Sequence, residues 1–312
     1  MKLDVIIPAF NEDGNLNKLH DILTDTLREI KYNLIFVDDG STDKTYEILT
    51  ELYNKDKEHT KVISFSRNFG KDAAIYAGLK HSTAEYACII DSDLQQNPKY
   101  LLEMIKFLDN HSEYDQVAMV NGYQNDGAIS KFAKKSFYKI MNKASEQSFK
   151  AGASDFRTFR HYVVEAISDM SETNRFSKGL FSWVGFNTYY MPYTVERRFY
   201  GESKFKFRSQ IKYAWHGILN FSTTPLKIST FLGSIISSGA FLYLLIILFQ
   251  TIIYGKDIPG YASLMCVILL LGGIQLLVLG IIGEYIAKSY LEVKKRPIYI
   301  AKNTLGFNKD IL

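Results

Sequence analysis

Two stretches without a charged side chain constrain this chain most. Between Lys227 and Lys256 there is no Asp, Glu, Lys, Arg or His, and the same holds between Asp257 and Glu284. Each is longer than the ~20 residues that carry a helix across the hydrocarbon core of a bilayer. The first holds about 15 Leu, Ile and Phe, which at roughly −0.3 to −0.6 kcal/mol apiece favour insertion by about 5 to 9 kcal/mol. Core helices of a soluble protein are the alternative, and uncharged runs of this length fit it poorly. The pair is expected to form a transmembrane hairpin over 227–287, with helices at about 228–254 and 260–284. Gly233-x-x-x-Ser237 and the Gly272-Gly273 pair would allow close helix contact. Positive charge flanks the outer ends, with Lys204, Lys206, Arg208, Lys212 and Lys227 before and Lys288, Lys294, Lys295 and Arg296 after. That bias predicts a multi-pass protein of the cytoplasmic membrane with both termini inside. Ser209 to Asn220, where Ile211, Trp215, Ile218 and Leu219 oppose Lys212 and His216, is expected to lie along the interface as an amphipathic helix.

The charge distribution agrees. Of a formal net charge of +4, the residues from Gly201 onward carry 12 Lys/Arg against 5 Asp/Glu, net +7, which leaves net −3 for the first two hundred. Basic charge beside apolar segments points to anionic lipid heads, not to nucleic acid. Cys88 and Cys266 both sit in apolar runs and are expected to be small buried hydrophobes, so no disulfide framework or thiol chemistry is implied. The six histidines show no metal-ligand spacing. Met1 to Phe10 is too short for a signal peptide and carries Asp4 and Pro8, so it is expected to be the first strand.

Ahead of the hairpin, short apolar runs alternate with helical patterns. Leu3 to Pro8, Leu34 to Val37, Val62 to Phe65, Tyr86 to Ile90 and Val117 to Val120 are expected strands. Between them lie amphipathic helices: one with Leu16, Leu19, Ile22, Leu23 and Leu27, one capped by Ser41 or Thr42, one over Ala73 to Leu79, and one started by Pro98. Such alternation predicts a mainly parallel, doubly wound α/β sheet whose right-handed crossovers put the strand ends on one edge. That edge would collect Asn11, Glu12, Asp38, Asp39, Arg67, Lys71, Asp91 and Asp93, where ligands of open α/β sheets gather. Asp91 and Asp93 are one residue apart at the end of the fourth strand, so both carboxylates could face one way. Two hard oxygen donors there suit Mg²⁺ or Mn²⁺ together with substrate phosphates. The D-x-D spacing alone fits an ordinary polar turn as well, and only the convergence of four polar loops sets it apart. The absence of G-x-G-x-x-G after the first strand and of G-x-x-x-x-G-K-[ST] argues against a dinucleotide oxidoreductase or P-loop nucleotidase.

Six segments in order resemble a known family: Val5-Ile6-Ile7-Pro8-Ala9-Phe10-Asn11-Glu12, Val37-Asp38-Asp39-Gly40-Ser41, Ser66-Arg67-Asn68-Phe69-Gly70, Asp91-Ser92-Asp93-Leu94-Gln95, Ser154-Asp155-Phe156-Arg157 and Arg198-x-x-Gly201-Glu202-Ser203-Lys204. Together with Gly283-Glu284-Tyr285-Ile286 and Arg296-Pro297-Ile298-Tyr299, they make the chain similar to the family 2 glycosyltransferases of GT-A fold. The likeness is to the polyprenyl-phosphate branch, which includes bactoprenol glucosyltransferases and dolichyl-phosphate mannose synthases. The resemblance implies that Pro8, Ala9, Asn11, Glu12, Asp39, Lys71 and Asp91 hold a nucleotide-sugar, and that Asp91, Asp93 and Gln95 surround the metal. It further implies catalytic positions at Asp93, Asp155 and Arg157, and a lipid-phosphate site at Arg198, Ser203 and Lys204. Asp155 matches the position of a proposed base, but it could equally orient the acceptor or Arg157. Branch members usually carry an Arg after the fifth strand, where this chain reads Asn121-Gly122-Tyr123-Gln124; Lys131, Lys134 or Lys135 could substitute or could form a solvated face.

The expected organisation is a cytoplasmic GT-A domain over 1–205, a juxtamembrane amphipathic helix over 206–226, the hairpin, and a cytoplasmic tail over 288–312. The expected reaction is metal-dependent, inverting transfer of a hexose, from a nucleotide-sugar of the UDP type, to polyprenyl (undecaprenyl) phosphate for cell-envelope glycosylation. Homo-oligomers through the hairpin, a flippase and a downstream transferase are the expected partners beside the lipid bilayer. A non-catalytic nucleotide-sugar-binding scaffold and a processive polysaccharide synthase are the rival readings. The second lacks its Q-x-x-R-W signature here, since the nearby Trp183 lies in Lys178-Gly179-Leu180-Phe181-Ser182-Trp183.

Overall fold

A computed structural model describes residues 1–121, 150, 152–173, 175–194, 223–254 and 260–307. Arg198, Ser203, Lys204, the 209–220 segment, Gly122 to Gln124 and the lysines at 131, 134 and 135 lie outside the described residues. The chain divides into two compact units, one of Met1–Ala214 with Arg296–Leu312 and one of Trp215–Lys295.

The first unit is built on an eight-stranded mixed sheet. Its strands are β1 (Leu3–Ala9), β2 (Tyr32–Asp38), β3 (Thr60–Phe65), β4 (Tyr86–Ile89), β5 (Gln116–Asn121), β6 (Ala153–Arg160), β7 (Thr188–Tyr193) and β8 (Ala301–Leu305), in the order β7-β5-β6-β4-β1-β2-β3-β8. β4, β1, β2 and β3 run parallel, as the alternating pattern predicts. Their ends therefore share one edge. β6 runs antiparallel between β4 and β5, and β8 runs antiparallel on β3.

Every residue of β1 and β2 is buried, which is why both read as continuous apolar runs and not as alternating ones. Helices cover the two faces. On one lie α1 (Leu16–Leu27), α2 (Thr45–Lys55) and α4 (Lys99–Asn110), whose Leu16, Leu19, Leu23, Leu49, Leu101, Met104 and Leu108 join Val5, Ile7, Leu34 and Phe36 in one core. On the other lie α3 (Lys71–Lys80), α5 (His161–Ser168) and α6 (Ser177–Trp183), packed on Ile6, Ile35, Ile63 and Ile89. α3 is buried from Ala73 to Leu79. A Cβ on Gly78 would lie 2.3 Å from Ile6 Cγ2, so only glycine lets this helix sit so close to the sheet.

α2 begins at Thr45, with Lys44 and not Ser41 or Thr42 at its cap. The two expected capping residues are engaged elsewhere, because Ser41 Oγ accepts from Asn11 N (3.0 Å) and Thr42 N donates to Asn11 Oδ1 (2.9 Å).

The second unit holds α7 (Thr224–Tyr254) and α8 (Tyr261–Val293), which pack against each other. Both are long and apolar enough to cross a membrane, and none of the most apolar window of either is buried among the described residues. Phe231, Leu244, Phe249, Ile252, Leu269 and Leu276 all point outward, which a core helix of a soluble protein would not allow. A Cβ at Gly233, Gly272 or Gly273 would meet nothing within 4 Å. Within one chain these glycines are therefore not a point of contact between α7 and α8.

Candidate active site

Three loops at the shared strand edge are tied together by side chains. Asp39, just beyond β2, is 3 % exposed; its carboxylate accepts from Phe69 N (2.7 Å) and Gly70 N (3.0 Å) in the loop after β3, and its own N–H donates to Ala9 O (2.9 Å) at the end of β1. Neighbouring Asp38 accepts from Ser41 N (3.0 Å) and from Ser64 Oγ (2.7 Å). Glu12 N donates to Thr45 Oγ1 (2.9 Å), and Asn15 Nδ2 donates to Glu12 Oε2 (2.7 Å). Gly40 has φ +66°, and a Cβ there would lie 2.3 Å from the Arg67 carbonyl carbon; the second and third loops can meet only at a glycine. Burial pushes the Asp39 carboxyl up to about 6, against the pull of its Phe69 and Gly70 bonds. Pro8 and Ala9 are the buried last residues of β1, and Asn11 sits at φ +53° between them and α1.

The second half of the site follows from strand register. β6 is antiparallel to β4 with Tyr86 opposite Arg160 and Ile89 opposite Arg157. Carried two residues further, that diagonal brings Asp91 across from Asp155. Lys71, the first residue of α3, joins them: its Nζ is 2.6 Å from Asp91 Oδ1 and 3.1 Å from Asp155 Oδ2. Burial works against a charged lysine here, but Asp91 and Asp155 hold the Lys71 ammonium well above its ordinary range. Asp155 shows the converse: burial alone would raise its carboxyl, and Lys178, Lys71 and Arg157 together hold it well below the usual carboxylate range.

After β4 the chain alternates, with Asp91, Asp93, Gln95 and Asn97 partly exposed and Ser92, Leu94, Gln96 and Pro98 buried. The acids at 91 and 93 are thus both partly open to solvent, beyond the end of β4. Leu94 adopts φ +60°, and Gln95 N donates to Asp93 Oδ1 (3.1 Å). Among the described residues no group of three or more His, Cys, Asp or Glu could hold a metal by itself. A partial set of hard oxygens, Asp91, Asp93 and the Gln95 amide, fits Mg²⁺ or Mn²⁺ that completes its shell with ligand phosphates, and it fits an all-protein cage poorly.

Several contributors were not legible in the motifs. Gln96 is 4 % exposed and grips Asp91 twice, its Oε1 accepting from Asp91 N (2.9 Å) and its Nε2 donating to Asp91 Oδ2 (2.9 Å). Asp72 accepts from Ser177 N (2.9 Å) and so docks the start of α6, which carries Lys178, beside Asp155. Tyr193, the last residue of β7, is near Asp91, Asp93 and Asp155; burial above all raises its phenol, a hydrogen bond with Ser154 pulls it back, and those charges raise it further. Only its aromatic strand, Thr188–Tyr193, marks it in the sequence. Arg157 is buried, with Nε donating to Ser154 O (3.1 Å) and its guanidinium 5.1 Å from the Phe181 ring centroid.

Comparisons with known proteins place the chain in a family. A model of glycosyl transferase family 2 matches residues 4–168, and one of the GtrB C-terminal hairpin matches residues 224–289. The chain belongs to glycosyltransferase family 2. Its relatives include an uncharacterized glycosyltransferase of Synechocystis, 39 % identical with 98 % of this chain and 96 % of that one covered. A prophage bactoprenol glucosyl transferase homolog of Escherichia coli is 36 % identical, with 97 % and 99 % covered. In fold, this glycosyltransferase is similar to glucosyl-3-phosphoglycerate synthase from Mycobacterium tuberculosis, a structure holding Mn²⁺, uridine diphosphate and phosphoglyceric acid. The TM-score is 0.50 at 16 % identity, over 70 % of this chain and 76 % of that one. The mixed sheet is the GT-A arrangement, and the two apolar helices of this family 2 enzyme associate it with a membrane.

Proposed function

We propose that this glycosyltransferase moves a hexose from a UDP-sugar to polyprenyl phosphate at the cytoplasmic face of the membrane, with inversion at the anomeric carbon. What carries the reading is the juxtaposition of Asp91 and Asp155 beyond the paired ends of β4 and β6, bridged by Lys71, with Asp93 two residues on and also partly exposed. The bactoprenol glucosyl transferase names of full-length relatives support the lipid acceptor, and the Mn²⁺ and uridine diphosphate in the neighbouring fold support the donor and the ion.

In this proposal Asn11, Glu12 and Asp39 hold the nucleoside, and Lys71 exchanges carboxylates for the donor's diphosphate. When bound to Asp91, Asp93 and Gln95, Mg²⁺ or Mn²⁺ supplies neutralisation of the charge that gathers on the departing diphosphate. The acceptor phosphate oxygen attacks the anomeric carbon as the bond to the β-phosphate oxygen breaks, so an α-linked donor yields a β-linked product and UDP. A phosphate monoester has a second pKa near 6 and is already mostly dianionic at neutral pH. No base is then required, and Asp155, held ionised by three cations, serves to place Lys71. Arg198, Ser203 and Lys204, outside the described residues, are the proposed lipid-phosphate contacts. Positive charge on both flanks of the hairpin supports inward-facing termini. A sugar built on that side must be passed to a flippase and a downstream transferase, and the hairpin offers the contact for a homo-oligomer.

Purified full-length protein in lipid nanodiscs with undecaprenyl phosphate, Mn²⁺ and a panel of labelled UDP-sugars tests the proposal. Release of UDP with formation of a lipid carrying one sugar is expected. Binding of UDP-sugar without turnover would establish the scaffold reading instead, and products with many sugars would establish the processive one.

A further inference from the structure

The residues that follow α8 belong to neither matched region, since the family model ends at 168 and the hairpin model at 289. They return to the first unit. β8 pairs antiparallel with β3 from Val62 opposite Leu305 to Phe65 opposite Ala301, with a register shift at Ser64/Phe65. Just past that shift, Ser66 N donates to Ile300 O (2.9 Å). Tyr299 then lies face to face with Phe65 (4.8 Å between centroids, 19°) and edge-on to Tyr76 of α3 (6.2 Å, 67°). Phe65 in turn meets Phe69 edge-on (5.7 Å, 90°), and Arg67 lies 4.0 Å from the centroid of the Phe69 ring. Ile298, Tyr299, Ala301 and Phe307 all pack on this cluster.

The loop from Ser66 to Gly70 is therefore held from behind by the post-hairpin segment, at its first residue by a backbone bond and at Phe69 through a stack of aromatic rings. Its front presents Phe69 N and Gly70 N to Asp39, and its end leads into Lys71. A shift of the Phe69 backbone would carry away two of the donors that fix the Asp39 carboxylate and would turn the first residue of α3. Aromatic pairs of this geometry contribute beyond their buried area, so the ring of Tyr299 is a support that an aliphatic side chain replaces only in part.

We propose that Tyr299, with the edge strand β8 behind it, is a positioning residue for nucleotide binding, acting through Phe65 and Phe69 on Asp39. The inference rests on the proposed role of Asp39 in holding the nucleoside. It makes the segment after the hairpin part of the donor site's support.

The test is UDP binding in the presence of Mn²⁺ by calorimetry, with KM and kcat for the donor, on full-length wild type, Tyr299→Leu, Tyr299→Ala, Tyr299→Phe and Asp39→Asn. Tyr299→Ala is expected to weaken UDP binding and raise the donor KM by about 5- to 20-fold, while kcat at saturating donor stays within about twofold. Tyr299→Leu, which keeps bulk and guards against a folding failure of the alanine variant, should fall between wild type and alanine, and Tyr299→Phe should bind as wild type does. Unchanged UDP affinity in Tyr299→Leu and Tyr299→Ala, with Asp39→Asn weakened, overturns the inference alone. Wild-type affinity in Asp39→Asn overturns the nucleoside reading on which it rests.

Discussion

Replacing Lys71 by Met removes the ammonium that stands between Asp91 Oδ1 at 2.6 Å and Asp155 Oδ2 at 3.1 Å while keeping most of the side-chain length. At an effective dielectric of about 20, each of these contacts is worth roughly 5 kcal/mol before desolvation. The lysine side chain is 41 % exposed, so solvent screens much of that, and the net loss of stability should be only about 1 to 2 kcal/mol. Two binding equilibria should move in opposite directions. UDP loses a charge-assisted contact worth about 1.5 to 3 kcal/mol, which is roughly 10- to 100-fold in affinity at saturating Mn²⁺. Mn²⁺ alone gains, because Asp91 no longer shares its charge with a resident cation; a relief of about 1 to 2 kcal/mol corresponds to roughly 5- to 30-fold tighter binding. Electron paramagnetic resonance titration of Mn²⁺ into donor-free protein, beside calorimetry with UDP, reads both. Weaker binding of Mn²⁺ alone in Lys71→Met, or unchanged UDP affinity, would refute the view that lysine and metal compete for one carboxylate.

Asp155→Asn separates placement from proton transfer. Its carboxyl is held below the usual range by Lys178, Lys71 and Arg157 once burial is overcome, so the variant should lose about tenfold in kcat with the pH profile unchanged between pH 5 and 9, whereas loss of a general base costs about 10² to 10⁴ and removes a limb of the profile. Asp39 has its pKa raised to about 6, chiefly by burial. Its stabilising neutral form is fully present below the ordinary value near 3.8, and the contribution is lost as pH rises through about 6. Wild type should therefore lose up to about 3 kcal/mol relative to Asp39→Asn between pH 4 and pH 7; parallel unfolding curves of the two proteins across that range would sink the assignment. Over the same interval wild-type affinity for UDP should strengthen as the pH rises, because the ionised carboxylate is the better acceptor, and calorimetry at pH 5 and pH 8 measures it.

The parallel half of the sheet was legible because β1, β2, β3 and β4 are buried on both faces and announce themselves as unbroken apolar runs. β6 was not, since Asp155, Arg157 and Arg160 interrupt its apolar pattern, although Phe156 to Phe159, Arg157 included, are buried. Yet β6 brings Asp155 to Asp91, a pairing that depends on register and leaves no local signal. β8 reads Ala301-Lys302-Asn303-Thr304-Leu305, with two exposed polar residues at its middle, as suits an edge strand. The D-x-D pair, Asp39 and Lys71 were recognisable from their positions after strands and from the family motifs. Gln96, Lys178 and Tyr193 were not, because a buried amide, a lysine on a short helix and a strand-end tyrosine each resemble many ordinary residues until the chain is folded.

One consequence of the strand order concerns how the protein is made. β8 is encoded after both apolar helices, so a ribosome has already made the seven other strands and the hairpin before the outer side of β3 finds its neighbour. Until then β3 exposes a row of unsatisfied amides and carbonyls, an invitation to chaperones and to misassociation. Shortened versions that stop ahead of the hairpin, a common choice for making soluble material, would keep that edge bare permanently.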